Sequence, residues 1–310
     1  MDNTVATLPE HPLDPVEHTV EGQNEKRTSI IQDVWAGIYA NKASLVSLVF
    51  IGILALIAII TKIFPQVLPY DPYVQDLSIA LQPPSAQHWC GTDLQGRDIF
   101  SRILVGTQIS LTVGFSAVAI SLSIGVLLGA VAGYRGRITD TVIMRAMDMM
   151  LAIPSILLAI AFMAALGKGI DKAVIAIGLV SIPEYARIVR SEILSIKESD
   201  YVAAARVIGD SDAQIILRHV LPNVLPSIIV RATLGISTAV LDTAALGFLG
   251  LGVQPPLAEW GDMLGRGRSE IFRAPWLMVF PGLAIMFTVL AFNLLGNGVR
   301  DGLDPKTQKR

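Results

Sequence analysis

The sequence predicts an all-α membrane protein with about six transmembrane helices. Of its 310 residues, 52% are hydrophobic and only 16% are charged, against ~25% charged in an ordinary soluble domain. Its apolar residues fall into long blocks nearly free of charge. Each block is close to the ~20 residues that a helix needs to cross ~30 Å of hydrocarbon. Lipid offers no partner for backbone polar groups, so such blocks must pair theirs internally, as helices do.

Taken in order, the chain opens with Met1–Ser29, which holds six carboxylates against Lys26 and Arg27, together with Pro9, Pro12 and Pro15. No basic segment precedes an apolar core, so this is not a signal peptide. It has too few apolar residues to repay its ordering entropy and reads as a disordered cytoplasmic tail over 1–29. Next, Ser29-Ile-Ile-Gln32 fits a capping box. Ile30, Ile31, Val34, Trp35, Ile38 and Tyr39 then recur at helical spacing. Trp35 and Tyr39 suit the headgroup region, so 30–44 reads as an interfacial elbow helix; the plainer reading is an extension of the first span.

The transmembrane domain is expected over 45–305, with a short tail at 306–310. Its spans are read as Leu45–Phe64, Ile109–Gly133, Thr141–Leu166, Ala173–Val189, Val224–Val253 and Trp276–Leu295. With both termini placed in the cytoplasm, sixteen of the 24 Lys and Arg residues fall inside and eight outside, as the positive-inside rule asks. The long loops are then Pro65–Gln108 and Gln254–Pro275 outside and Arg190–Asn223 inside.

Several functions are disfavoured. A net charge of −2 gives no reason to expect nucleic acid, and a single cysteine, Cys90, allows no intrachain disulfide. His and Cys are not spaced as metal ligands. Gly167-Lys168 is followed by Gly169 and has no upstream glycine, so no phosphate-binding P-loop is present. Neither a zinc-protease nor a serine-hydrolase motif occurs, so the chain is expected to be no enzyme by itself and to hold no metal or cofactor.

Small residues recur every fourth position in two spans: Ala117, Ser121, Gly125, Gly129 and Gly133 in the second, and Gly235, Ala239, Thr243 and Gly247 in the fifth. Such faces let helix backbones approach closely. Asp242 lies near the middle of the fifth span. A carboxylate there must face protein or a watery path, and two readings stand: contact with a cationic group of a cargo, or a structural hydrogen bond to Asn293 or a partner subunit. His88, Cys90 and the run Asp93, Arg97, Asp98, Arg102 lie in the first outside loop. Alternating charges order a loop by local salt bridges, or present a docking surface to an extracytoplasmic protein; Cys90 reads as an inert loop residue.

The inside loop 190–223 is the most informative segment. Ser199-Asp-Tyr-Val-Ala-Ala-Ala-Arg-Val-Ile208 reads as a short helix that includes Tyr201, and Gly209 is placed to end it in the left-handed conformation. Ser211-Asp-Ala-Gln214 is a second capping box, opening a helix Asp212–Val220 that Pro222 stops. The two would form a compact knob with alanines on its surface. By itself the pattern also fits an ordinary amphipathic loop.

Ala203-Ala204-Ala205-x3-Gly209-x11-Leu221-Pro222 resembles the EAA loop of ABC-importer permeases, Glu-Ala-Ala-x3-Gly-x9-Ile-x-Leu-Pro. Ala203 stands where the family often has Glu, and His219 where it has Ile. Four more stretches resemble the C-type permease subunit of dipeptide and oligopeptide importers: 91–102 (Gly-Thr-Asp-Leu-Gln-Gly-Arg-Asp-Ile-Phe-Ser-Arg), 245–252 (Ala-Leu-Gly-Phe-Leu-Gly-Leu-Gly), 254–261 (Gln-Pro-Pro-Leu-Ala-Glu-Trp-Gly) and 292–305 (Phe-Asn-Leu-Leu-Gly-Asn-Gly-Val-Arg-Asp-Gly-Leu-Asp-Pro). Cys90 and Asn297 stand where the family more often has a large apolar residue and Asp. The resemblance runs from about residue 30 to 305. It implies a type I importer permease fold in a bacterial inner membrane, and as partners a second, similar permease chain, two ABC ATPases that bind ATP and Mg, and an extracytoplasmic solute-binding protein. It also implies that ATPase closure pushes on the knob, through Tyr201, Ala203, Ala204, Ala205, Gly209, Ser211, Leu221 and Pro222. Family cargoes include dipeptides, oligopeptides, glutathione, nickel chelates and opines. The alternative is an ion-coupled secondary transporter, which predicts broken helices and several buried ionisable groups at mid-membrane.

Overall fold

A computed structural model describes residues 29–304; the tails expected over 1–29 and 306–310 lie outside it, Ser29 apart. Among the described residues the chain is built of helices joined by turns, with no strand.

Helix α1 (Ile30–Ala40) begins at the expected box, where the Ser29 N–H donates to Gln32 Oε1 at 3.3 Å. It is separate from α2 (Lys42–Ile63), because Asn41 is extended and its Oδ1 accepts the N–H groups of Ala43 at 3.0 Å and Ser44 at 3.4 Å. One side of α1 lies against the last helix, α11 (Trp276–Leu303): a Cβ on Gly37 would overlap the backbone of Gly298 and Gly302. Trp35 and Tyr39 stack at 5.6 Å and stay exposed.

The long helix α3 (Ile99–Arg135) spans 37 residues, or ~55 Å at 1.5 Å per residue. Gly136, at φ +64°, turns the chain directly into α4 (Arg137–Leu151), replacing the seven-residue loop expected between spans two and three. The third span is not continuous. α4 and α5 (Ser155–Leu166) meet at 95°, because Pro154 has no N–H to give and pushes Ile153 out of the helical region.

α6 (Ile170–Ile196) then leads to the short α7 (Asp200–Ile208) and α8 (Asp212–Gln214). From α8 the chain passes through a wide π turn, Ile215–Val220, into α9 (Leu221–Phe248) without a break. Pro222 therefore does not stop the helix. The Leu221 N–H reaches back to the Ile216 carbonyl, a wider closure, and Pro222 falls in the first turn of α9, where no N–H is required. α9 ends at Phe248 rather than at Val253, since Gly250 takes φ +72° and the N–H groups of Leu251 and Gly252 fold back on the Leu246 carbonyl. The following loop holds an unexpected helix, α10 (Trp260–Gly267), and α11 (Trp276–Leu303) runs two turns past the expected end at Leu295.

Among the described residues, four helical segments are long and apolar enough to cross a membrane: Lys42–Ile63, Ile99–Arg135, Asp212–Phe248 and Trp276–Leu303, or five if the bent α4–α5 pair is one span. The expected fourth span lies in α6, whose 27 residues are long enough but carry Glu184, Arg187, Arg190 and Glu192 in the second half. Those charges are used. Arg190 grips Asp140 with two bonds of 2.5 Å, and Arg187 meets Asp148 at 2.8 Å, so α4 is strapped along α6.

The glycine ladder of α3 is the seam with α6. A Cβ on Gly125 would stand 2.5 Å from Tyr185 Cβ, on Gly129 2.5 Å from the Ala186 carbonyl oxygen, and on Gly133 3.0 Å from that of Arg190. In α9, Gly235 leaves room for the Tyr185 hydroxyl, and Gly247 for the start of α10. Where lipid tails are as apolar as side chains, such close backbone packing replaces the hydrophobic effect as the source of helix association.

Candidate functional site

The knob is built as its local signals require. Ser211 and Gln214 close their box, with the Ser211 N–H on Gln214 Oε1 at 2.8 Å. Gly209 is left-handed at φ +101°, and the N–H groups of Gly209 and Asp210 cover the last carbonyls of α7, on Arg206 at 3.2 Å and Ala205 at 3.1 Å. Val202 and Ala205 turn inward onto Ile215, Val220 and Val224, which ties the two helices into one unit on Val189 and Ile193 of α6. Leu221 packs at the edge of this cluster, and Pro222 is exposed. His219 faces Asp210 at 3.0 Å, and Asn223 Nδ2 donates to the Tyr201 hydroxyl at 3.2 Å.

The outer surface of the knob is largely apolar. Tyr201, Ala203, Ala204, Gly209 and Ser211 are exposed. Beside them stand Val207 at 88% exposure, Ile208 at 83% and Leu217 at 63%. The sequence reading missed these last three, although an Arg-Val-Ile-Gly end to an amphipathic helix was a usable signal. Large apolar side chains this exposed mark a surface suited to being covered by a partner.

Asp242 lies on α9, half-buried. Among the described residues it has no hydrogen bond or ion pair. The hydrogen bond to Asn293 does not form; Asn293 Oδ1 accepts from Ser237 Oγ at 3.0 Å.

At the far end from the knob, the charged run is an internal network. Arg97 pairs with Asp93 at 2.7 Å. Arg102 donates to the Pro72 carbonyl at 2.8 Å, with longer reaches of 3.5 Å to those of Pro256 and Leu257. Asp98 caps α3 through the Ser101 N–H at 2.8 Å and holds His88 Nδ1 at 2.9 Å. Arg97, Asp98 and Arg102 are buried, so they order the loop and offer no charged face to a docking protein. Cys90 is buried beside them, and burial pushes its thiol up to about 11, which suits an inert residue. α10 enters this end through Glu259, whose carboxylate accepts the N–H groups of Gly261 and Asp262, both at 2.8 Å. Among the described residues no group of three or more His, Cys, Asp or Glu is arranged to hold a metal.

Comparison with known proteins places this geometry. Residues 125–309 match the family described as "Binding-protein-dependent transport system inner membrane component", and residues 29–84 match the "N-terminal TM domain of oligopeptide transport permease C". The dipeptide transport system permease protein of Alkalihalophilus pseudofirmus is 51% identical over 267 residues, covering 86% of each chain. The di/tripeptide transport system permease protein of Pseudomonas aeruginosa is 46% identical, covering 90% of this chain and 93% of that one. A glutathione transport system permease protein of Escherichia coli is 47% identical, covering 88% and 90%. Among solved structures, an inward-facing methionine ABC transporter, MetNI, matches with a TM-score of 0.55 at 19% identity, over 66% of this chain and 96% of that one; the likeness concerns the fold.

Proposed function

We propose a transport mechanism on this premise: the chain belongs to the binding-protein-dependent inner membrane transport components and, within them, to the permeases of dipeptide and oligopeptide ABC importers. Such permeases are non-catalytic membrane subunits that work with ATPase partners. The finer reading is that this chain pairs with a second, homologous permease and that two ATPases, holding ATP and Mg, sit beneath the pair. A solute-binding protein delivers cargo from outside. Both termini and the knob lie in the cytoplasm, in line with the charge bias of the loops.

The observation that carries this reading is the exposed apolar knob on a rigid two-helix base. Its alanines leave a shallow face against which an ATPase groove can close at backbone range. Val207 and Ile208 then leave water on binding, at ~25 cal/mol per Å² of apolar surface covered. Closure of the ATPases moves the knob, and the seams between α3, α6 and α9 pass that movement to the pathway. Peptides are the proposed cargo, as the relatives' names suggest, with glutathione, nickel chelates and opines as the other family cargoes. In this reading Asp242, a carboxylate in a span with no hydrogen bond or ion pair among the described residues, meets the amine of such a cargo.

The ion-coupled alternative predicts broken helices. The described residues do hold one break, between α4 and α5, but among them Asp242 forms no ion pair, and the family matches favour the importer. The test is the complex purified into lipid with its ATPases. Ala204→Arg should leave the chain in the membrane yet remove stimulation of ATP hydrolysis by loaded binding protein, since closure would trap an unpaired charge at a cost of roughly 3–5 kcal/mol. Wild-type stimulation in that variant would overturn the reading.

A further inference from the structure

Tyr134 stands in the last turn of α3, two residues before the Gly136 turn. Its hydroxyl donates to the Asp212 carboxylate at 2.8 Å and accepts from Arg206 Nη2 at 3.4 Å. Arg206 belongs to α7 and Asp212 to α8, on opposite sides of Gly209. One phenol therefore touches both helices of the knob. Just before it, the Gly133 carbonyl accepts from Lys197 at the end of α6, at 3.3 Å. Among the described residues, the other side-chain hydrogen bonds of α7, α8 and the π turn stay within residues 199–223.

The helix that carries Tyr134 is also the longest proline-free helix among the described residues. α6, α9 and α11 each carry an interior proline, at Pro183, Pro226 and Pro281, whereas the 37 residues of α3 hold none. Its other end is fixed by the Asp98 cap and by Arg102, which reaches carbonyls in both far-end loops. A pull on Tyr134 thus acts along a continuous helix whose far turn is tied to both far-end loops. The knob's apolar base also touches α3 through Ala130, but apolar contacts tolerate sliding, whereas the phenol hydrogen bonds are directional.

Resting on the coupling role proposed above for the knob, we infer that Tyr134 is the positioning residue that pins the knob to α3, so that ATPase movement reaches the far-end loops through that helix. The pin uses a hydroxyl between a carboxylate and a guanidinium, and hydrogen bonds to charged groups are the stronger class. Tyr134→Phe keeps the ring and removes only the pin.

The experiment reconstitutes the full importer in lipid and reads cargo imported per ATP hydrolysed for Tyr134→Phe, Asp212→Ala and the double variant, with Ala204→Arg as control. Tyr134→Phe should assemble with normal stoichiometry and import about tenfold less cargo per ATP, the size set by one hydrogen bond to a charged group. The double variant should be no worse than the weaker single, because both remove one interaction. Wild-type import per ATP in Tyr134→Phe, failure of that variant to assemble, or losses that multiply in the double variant would each overturn the pin. If Ala204→Arg keeps its stimulation, the knob reading falls and takes the pin with it; if only Tyr134→Phe behaves as wild type, the knob reading stands alone.

Discussion

Replacing Gly209 separates backbone conformation from contact. The residue sits at φ +101°, and a Cβ built there would meet nothing within 4 Å. Any cost of substitution inside this chain is therefore conformational. An L-residue held in the left-handed region pays ~1–2 kcal/mol, Asn pays less because its side chain bonds locally, and a β-branched residue pays most. The expected series is Gly209→Asn near wild type, Gly209→Ala weaker by ~1 kcal/mol, and Gly209→Val weaker by ~2 kcal/mol or more. Since 1.4 kcal/mol is tenfold in population, Val lowers the share of correctly turned knob by roughly thirtyfold relative to its opened form. Hydrogen exchange over residues 205–215, with cargo-stimulated ATP hydrolysis by the complex, reads the loss directly. Wild-type behaviour of Gly209→Val would refute the turn argument. Equal damage from Asn and Val would mean that a partner touches this position and that conformation is not the cause.

Other expectations follow from the same geometry. Asp242→Asn should lower uptake of cargo bearing a free amine by tenfold or more while the complex assembles normally, because no partner among the described residues depends on the carboxylate; failed assembly on a pull-down would assign Asp242 to a subunit contact instead. Gly129→Val drives branched carbons into the Ala186 carbonyl, and overpacking of this kind costs ~1–3 kcal/mol or more. It should reduce the thermal stability of the detergent-solubilised chain by several degrees, whereas Gly52→Val, at a site with nothing within 4 Å, should not.

Much of the architecture was legible because its causes are local. α2, α3 and α11 announce themselves by apolar length alone, and the turn at Gly209 and the box at Ser211 depend on residues at most five positions apart. The small-residue ladder of α3 likewise read as a packing face, and Gly125, Gly129 and Gly133 do meet α6. What escaped has causes that are not local or that compete. The break at Pro154 was hidden by apolar residues on both sides, where hydropathy outweighed the proline. At Pro222 the opposite happened, and a proline read as a stop is absorbed by the π turn before it. The charged run 93–102 left two readings open, and only the fold shows that Arg102 is spent on carbonyls 30, 154 and 155 residues away. Tyr134 and Asp212 are 78 residues apart, and neither carries a motif that points to the other. Asp242 stood out in the sequence as an intramembrane carboxylate; that its presumed partner Asn293 is engaged by Ser237 is a tertiary fact.

The central claim is that the exposed face of α7 is covered by an ATPase. A photo-crosslinking amino acid at Val207, the most exposed apolar position of the knob, tests it in the assembled complex without altering the turn at Gly209. The account predicts one dominant adduct, to an ATPase subunit, whose yield changes between nucleotide-free and ATP-bound states. An adduct to lipid alone, or to a subunit other than an ATPase, would contradict it.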